Sequence, residues 1–285
     1  MPVAGSQASQ ASGIAAIELR GVELEVGGRL LLKDLSFSVA AGETLVLLGR
    51  SGSGKTTTLK LVNRLREATR GEVLVEGKPV SAWDTIELRR RIGYVIQETG
   101  LFPHVDVEHN VGLVPSLLRW PPARIRARVH ELLELVGLPP ATYARRSPAE
   151  LSGGQRQRVG VARALAADPP IVLMDEPFGA VDPLTRLDLQ RELASLAAKI
   201  HKTIVFVTHD VAEAFALATR IGLFCEGQLV ELAEPAAFAR SRHPEAVAFM
   251  ATLDASGAAL ALRDSGAIAG ARSPGQPPGA SEGTA

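Results

Sequence analysis

Residues 49–56, GRSGSGKT, constrain this chain more than any other stretch. They fit the pattern G-x-x-x-x-G-K-[ST]. The pattern stands between TLVLL (44–48), an apolar run of the kind buried on both faces of a sheet, and a helical segment from about Lys55. Strand, glycine-rich loop and helix in that order predict a phosphate cradle at the carboxyl end of a mostly parallel sheet. The backbone N–H groups of Ser51 to Thr56 would wrap the phosphates. Lys55 would neutralise the β and γ oxygens, and the Thr56 hydroxyl would ligate Mg²⁺. A plain glycine-rich turn is the competing reading, and the complete pattern in its strand–helix context argues against it.

The rest of the chain supplies the sheet. Alternating runs from Ile17 to Val39 predict antiparallel strands around a Gly27-Gly28 turn. GEVLVEG (71–77), IGYVI (92–96), IVLMD (171–175), TIVFVT (203–208), IGLFC (221–225) and LVEL (229–232) read as further strands. Helices are expected between the strands at 171, 203 and 221, which makes this part of the sheet parallel. Strand signals vanish from about 98 to 165. There Ile125, Val129, Leu132, Leu133 and Val136 share one helical face, so an inserted helical lobe is expected. Residues 1–14 and 255–285 are rich in Ala, Gly, Ser and Pro without apolar periodicity, and are expected to be disordered tails around a domain at 15–254.

Bulk properties narrow the class. Lys plus Arg and Asp plus Glu stand at 31 each, so nothing in the net charge points to nucleic acid. No apolar run approaches the ~20 residues needed to span a bilayer, and the first residues lack a signal-peptide pattern. Cys225 is the single cysteine. It excludes an internal disulfide, suits a reducing cytosol, and reads as a small core residue at a strand end. Histidines 104, 109, 130, 201 and 243 share no ligand spacing, so no His-based metal site is expected.

Polar residues at strand ends carry the remaining chemistry. IVLMDEP (171–177) ends a strand expected beside the phosphate-loop strand, at the edge where open α/β sheets bind ligands. Asp175 can then hold Mg²⁺ through its waters, and Glu176 can polarise an attacking water as a general base. Gln97 and His209 follow two other strands on the same edge. Each alone is equally a solvated surface residue. A second phosphate-suited element is LSGGQRQRV (151–159), where Ser152, Gly153 and Gly154 precede a helix at about Gln155.

With these residues in hand, the chain from about Ile17 to Leu253 resembles the ATP-binding subunits of ABC transporters. The resemblance rests on GRSGSGKTT, Gln97, LSGGQ, Asp175-Glu176, GAVD ending at Asp182, and VTHD containing His209, in the family's order. It implies a RecA-like phosphate-loop NTPase of α/β class: a mostly parallel core, an N-terminal antiparallel β subdomain and an inserted α-helical subdomain. ATP and Mg²⁺ are the implied cofactors. Gly49, Arg50, Ser51, Gly52, Ser53, Gly54, Lys55, Thr56 and Thr57 would hold the nucleotide, with Asp182 assisting, and Thr56, Gln97 and Asp175 would hold the metal. Glu176, His209 and Gln97 would serve hydrolysis, His209 near the γ-phosphate.

The resemblance also explains two cradles in one chain. Family members pack head to tail, so Ser152, Gly153, Gly154 and Gln155 would cap the ATP held by a second copy or a paralogous subunit. Stretches such as GYVIQETGLFPHVDVEHNVGL resemble the subfamily that drives uptake of glycine betaine, choline, carnitine and related osmoprotectants. The implied setting is peripheral, on the cytoplasmic face of the inner membrane, with integral permease subunits and indirectly a solute-binding protein as partners, and no nucleic acid. An importer for another small solute, or a soluble ABC-type ATPase, is the alternative. One departure stands out: where the family usually stacks an aromatic ring on adenine, GVELEVGG offers Val26, so weak stacking and modest ATP-over-GTP discrimination are expected.

Overall fold

The computed structural model describes residues 14–97, 100–179, 186, 195 and 202–255. Most of the two expected tails, and Asp182, lie outside the described residues. In the N-terminal part, β1 (Ile17–Val26) and β2 (Arg29–Val39) form the expected hairpin. With β4 (Arg70–Val75) and the short β5 (Lys78–Pro79) they make an antiparallel sheet in the order β2-β1-β4-β5. The apolar alternation of β1 changes phase midway: Ile17 and Leu19 are buried, then Val22 and Leu24. A register shift between Leu19 and Val22 absorbs the extra residue and keeps both pairs facing inward.

The second sheet holds β3 (Thr44–Gly49), β6 (Ile92–Val95), β7 (Ile171–Asp175), β8 (Thr203–Thr208), β9 (Arg220–Cys225) and β10 (Gln228–Ala233). Its order is β10-β9-β3-β8-β7-β6, all parallel except β10. The expected adjacency of β7 and the phosphate-loop strand is corrected here: β8 lies between β7 and β3. The parallel strands of this sheet show a near-continuous apolar pattern, so nothing local to the sequence tells which two are neighbours.

That continuity follows from two cores, one on each face. Leu45 and Leu47 of β3 pack with Leu173, Val205 and the antiparallel sheet. Val46 and Leu48 face the other way, with Val172, Met174, Phe206 and the helical lobe. All four are fully buried. Side chains of this size contribute ~1.5–3 kcal/mol each when removed from water. Helix α1 (Lys55–Val62) adds Leu59, Leu61 and Val62 to the first core, and α2 (Thr85–Arg91) leads into β6.

The inserted lobe consists of α3 (Val107–Leu117), α4 (Pro122–Leu135), the one-turn α5 (Pro140–Tyr143) and α6 (Gly153–Leu165). Val129, Leu132, Leu133 and Val136 are buried in it, as their spacing predicts. Buried Asn110 ties the segment before α3 to the helix: it accepts from the Phe102 N–H and donates to the carbonyls of Phe102, Val105 and Asp106. After β8 come α7 (Val211–Leu217), α8 (Pro235–Phe238) and α9 (Pro244–Ala255). The connection from β7 to β8 lies almost wholly outside the described residues. Cys225 ends β9 only half-buried, so it is not the core residue its position suggests.

Candidate functional site

The carboxyl ends of β3, β6, β7 and β8 bring the chemistry together. Gly54 caps α1 with φ +109, and no side chain bonds the helix's first N–H groups. The positive φ is a conformation that side chains rarely adopt, so the position favours glycine; a Cβ there would also press on the Leu32 Cδ2 methyl at 2.6 Å. Of the loop amides expected to wrap phosphate, that of Ser53 donates to the Arg50 carbonyl at 3.2 Å; the first-turn N–H groups of α1, which have no acceptor within the helix, stand at its positive end, the arrangement that binds an anion. Thr57 follows on the first turn, half-buried.

Lys55 is 4% exposed. Its ammonium donates to the carbonyls of Gly49 at 2.7 Å and Arg50 at 2.9 Å, and reaches Ser53 Oγ at 3.4 Å. Burial holds it below the usual lysine range, while the charges of Glu176 and Asp175 push it back up. It is a cation folded over the loop and short of counter-charge, as a phosphate ligand requires.

Thr56 donates its hydroxyl to Asp175 Oδ1 at 2.7 Å, and Tyr94 donates to Asp175 Oδ2 at 3.4 Å. Asp175 is 4% exposed, and burial lifts its carboxyl above the ordinary range, against the hydrogen bond from Thr56. A hard cation fits this pair: a hydroxyl and a carboxylate oxygen in contact beside the loop form the oxygen-only set that Mg²⁺ prefers. Bound there, the ion would neutralise phosphate charge.

Glu176 occupies a left-handed conformation, φ +44, unusual for a residue with a side chain. Its N–H donates to the Val207 carbonyl at 3.0 Å and its carbonyl accepts from Gly179 N–H at 3.1 Å, so both flanks fix the turn. Such strain persists where the surroundings over-determine it, commonly at functional sites. The turn directs Glu176 Oε2 to Gln97 Nε2 at 3.3 Å and His209 Nδ1 at 3.4 Å. Gln97 and His209, ambiguous as isolated residues, thus converge on one carboxylate oxygen.

LSGGQ is built as a separate unit. Ser152 caps α6 and forms a capping box with Gln155: Gln155 N–H donates to Ser152 Oγ at 3.2 Å, and Ser152 N–H donates to Gln155 Oε1 at 2.9 Å. Gln155 also donates to the Tyr143 hydroxyl at 3.1 Å. These bonds stay within the helical lobe, and among the described hydrogen bonds none joins residues 152–155 to the phosphate loop. The helix begins at Gly153, two residues before the expected start.

Tyr94 escaped the sequence reading because it sits in an apolar strand; its hydroxyl was the only signal of a polar duty. Thr208 and Glu213 were missed as well. The Thr208 hydroxyl donates to buried Glu213 at 2.5 Å and accepts from the Asp210 N–H, fixing the backbone on both sides of His209. Val26 lies at the end of β1, 42% exposed.

A phosphate-cradling strand–loop–helix with paired carboxylates on a parallel strand two places away defines a phosphate-loop NTPase fold. The matching family model is that of the ABC transporter, over residues 32–179, and the chain belongs to that family. Over 209 residues it is 51% identical to the choline transport ATP-binding protein OpuBA of Bacillus subtilis, covering 73% of this chain and 55% of that protein. Over 219 residues it is 48% identical to the glycine betaine uptake system ATP-binding protein YehX of Escherichia coli, covering 77% and 71%. The chain spans about half the length of several curated relatives it matches. Among solved structures, the ATP-binding cassette MJ0796, a dimer bound to ADP and Pi, superposes with a TM-score of 0.69 at 33% identity, over 76% of this chain and 98% of that one.

Proposed function

We propose that this chain is the ATP-binding and hydrolysing subunit of an ABC importer for osmoprotectants such as glycine betaine, choline or carnitine. The observation that carries the reading is the convergence of Gln97 and His209 on Glu176, next to the Thr56–Asp175 pair and the phosphate loop. The names of the 48–51% identical relatives support the solute class.

In the proposed reaction, the loop amides and Lys55 hold the phosphates of ATP. Thr56, Asp175 and Gln97 are the residues that would hold Mg²⁺, which would supply charge neutralisation to the phosphates. Glu176 orients the attacking water and accepts its proton on its carboxylate. His209 and Gln97, on the same oxygen, keep that carboxylate aimed and stabilise its charge. Ser152, Gly153, Gly154 and Gln155 close on the nucleotide of a second copy or a paralogous subunit. Among the described residues the hydrogen bonds of the LSGGQ unit stay within its own lobe, which supports a ligand supplied from outside the chain. Asp182 completes the proposed set. The partners are integral permease subunits and, through them, a solute-binding protein; nucleic acid is not one. The setting is peripheral, at the cytoplasmic side of the inner membrane.

Two measurements test this. Glu176→Gln should keep ATP binding and lower turnover at least ~100-fold, with ATP-dependent dimers accumulating on size exclusion. Mass identification of proteins co-purified from the native membrane should find a permease. Normal turnover in the variant removes Glu176 from its role, and absence of any membrane partner favours a soluble ABC-type ATPase.

A further inference from the structure

The phosphate loop borders a cavity of about 620 Å³, within the ~300–1,000 Å³ range of small-molecule sites. One wall is the outer side of the loop, Arg50 to Ser53; another is the start of β2, including Arg29 and Leu31. A nucleotide anchored through its phosphates on this loop would need room beside it for its ribose and base, and this cavity borders the loop. Val26 is not part of the lining.

Two arginines line the cavity, and they differ. Arg50 is engaged, its Nε 3.0 Å from Glu245 Oε2. Arg29 is exposed, and among the described residues its side chain has no hydrogen bond or ion pair. Its position is well set. Gly27 and Gly28, at φ +59 and +76, turn the chain so that Val26 and Arg29 are the last opposed pair of the hairpin. Opposed residues of an antiparallel pair project to the same face, so Arg29 stands beside Val26. The residue on this face with a planar, delocalised surface is therefore an arginine.

We infer that Arg29 binds the nucleoside end of the ligand by laying its guanidinium against the face of the purine, with Leu31 as apolar neighbour. A guanidinium is flat, weakly hydrated and attracted to a π face, so it can stack as well as carry charge. It is satisfied by any purine face and reads no edge, which makes ATP and GTP near equals at this contact. The inference rests on the proposed reading of the loop as a nucleoside triphosphate site.

The test is a set of dissociation constants for the full chain with ATP, GTP and inorganic tripolyphosphate, comparing wild type with Arg29→Ala, Arg29→Lys and Lys55→Ala. Arg29→Ala should weaken ATP and GTP alike by roughly tenfold and leave tripolyphosphate within about twofold, because only the base is lost. Arg29→Lys keeps the charge without the plane and should behave like the alanine variant. An equal loss for tripolyphosphate overturns the inference by showing that Arg29 acts on phosphate charge. Unchanged ATP binding in Arg29→Ala, or full retention in Arg29→Lys, overturns it too. Lys55→Ala separates the two readings: if it binds ATP as tightly as wild type, the phosphate-loop reading itself has failed.

Discussion

Asp175 and Glu176 are adjacent carboxylates in different environments. Burial raises the Asp175 carboxyl above its ordinary value, so the folded chain holds that proton more tightly than the unfolded chain does. Stability from this group is therefore greatest below the ordinary carboxylate value and falls as pH rises through the window up to the raised one. At neutral pH the ionised side chain costs the apo protein stability. Asparagine can accept from Thr56 and face Tyr94 without that charge. Asp175→Asn should raise the apo melting temperature at pH 7, and the gain should shrink as pH falls below the ordinary carboxylate value. The same variant should lose Mg²⁺-dependent turnover. Calorimetry across pH checks the first claim; a lower melting temperature at pH 7 contradicts it. Both acids were legible as residues. Their opposite situations, one buried against Thr56 and one strained and aimed at His209, were not, because burial and φ belong to the folded surroundings.

The deciding element is α6 with its cap. Its sequence signature is local: Ser152 and Gln155 stand three apart at a helix start, and both bonds of the capping box form. In the proposed dimer this end faces the γ-phosphate of the other copy. Gly154→Asp should leave ATP binding by the monomer nearly intact and abolish hydrolysis, since a carboxylate would oppose a phosphate. Mixing this variant with Lys55→Ala puts both defects in one composite site and neither in the other, so part of the wild-type rate should return. No recovery despite demonstrated mixing argues against sharing between copies. Elsewhere, periodicity located α4 and its buried face correctly. It could not place β7 two strands from β3, because an apolar strand covered on both faces carries no mark of its neighbour.

For the whole molecule, the β3–α1 junction joins two cores, so a ligand held there engages elements from both. A ligand that binds only the folded chain stabilises it by ~2.7 kcal/mol at 100 times its dissociation constant. Saturating ATP with Mg²⁺ should thus raise the melting temperature of Glu176→Gln by several degrees, and Lys55→Ala should lose most of that rise. Thermal scans with and without nucleotide decide it; an unshifted Glu176→Gln contradicts the reading. What the sequence determined alone was whatever depends on short range: the phosphate loop between strand and helix, the capping box, the Gly27-Gly28 hairpin, the helical lobe and the residue types at each strand end. Spacing and backbone preference act over a few residues, so a linear reading captures them. Only the tertiary structure decided that β8 separates β7 from β3, that Tyr94 and Thr56 share Asp175, that Gln97 and His209 meet on Glu176, and that Arg29 lines the cavity beside the loop. Those contacts join residues far apart in the chain; Thr56 and Asp175 are separated by 119 positions. They are set by which apolar faces bury each other, a property of the packed chain and of no single segment.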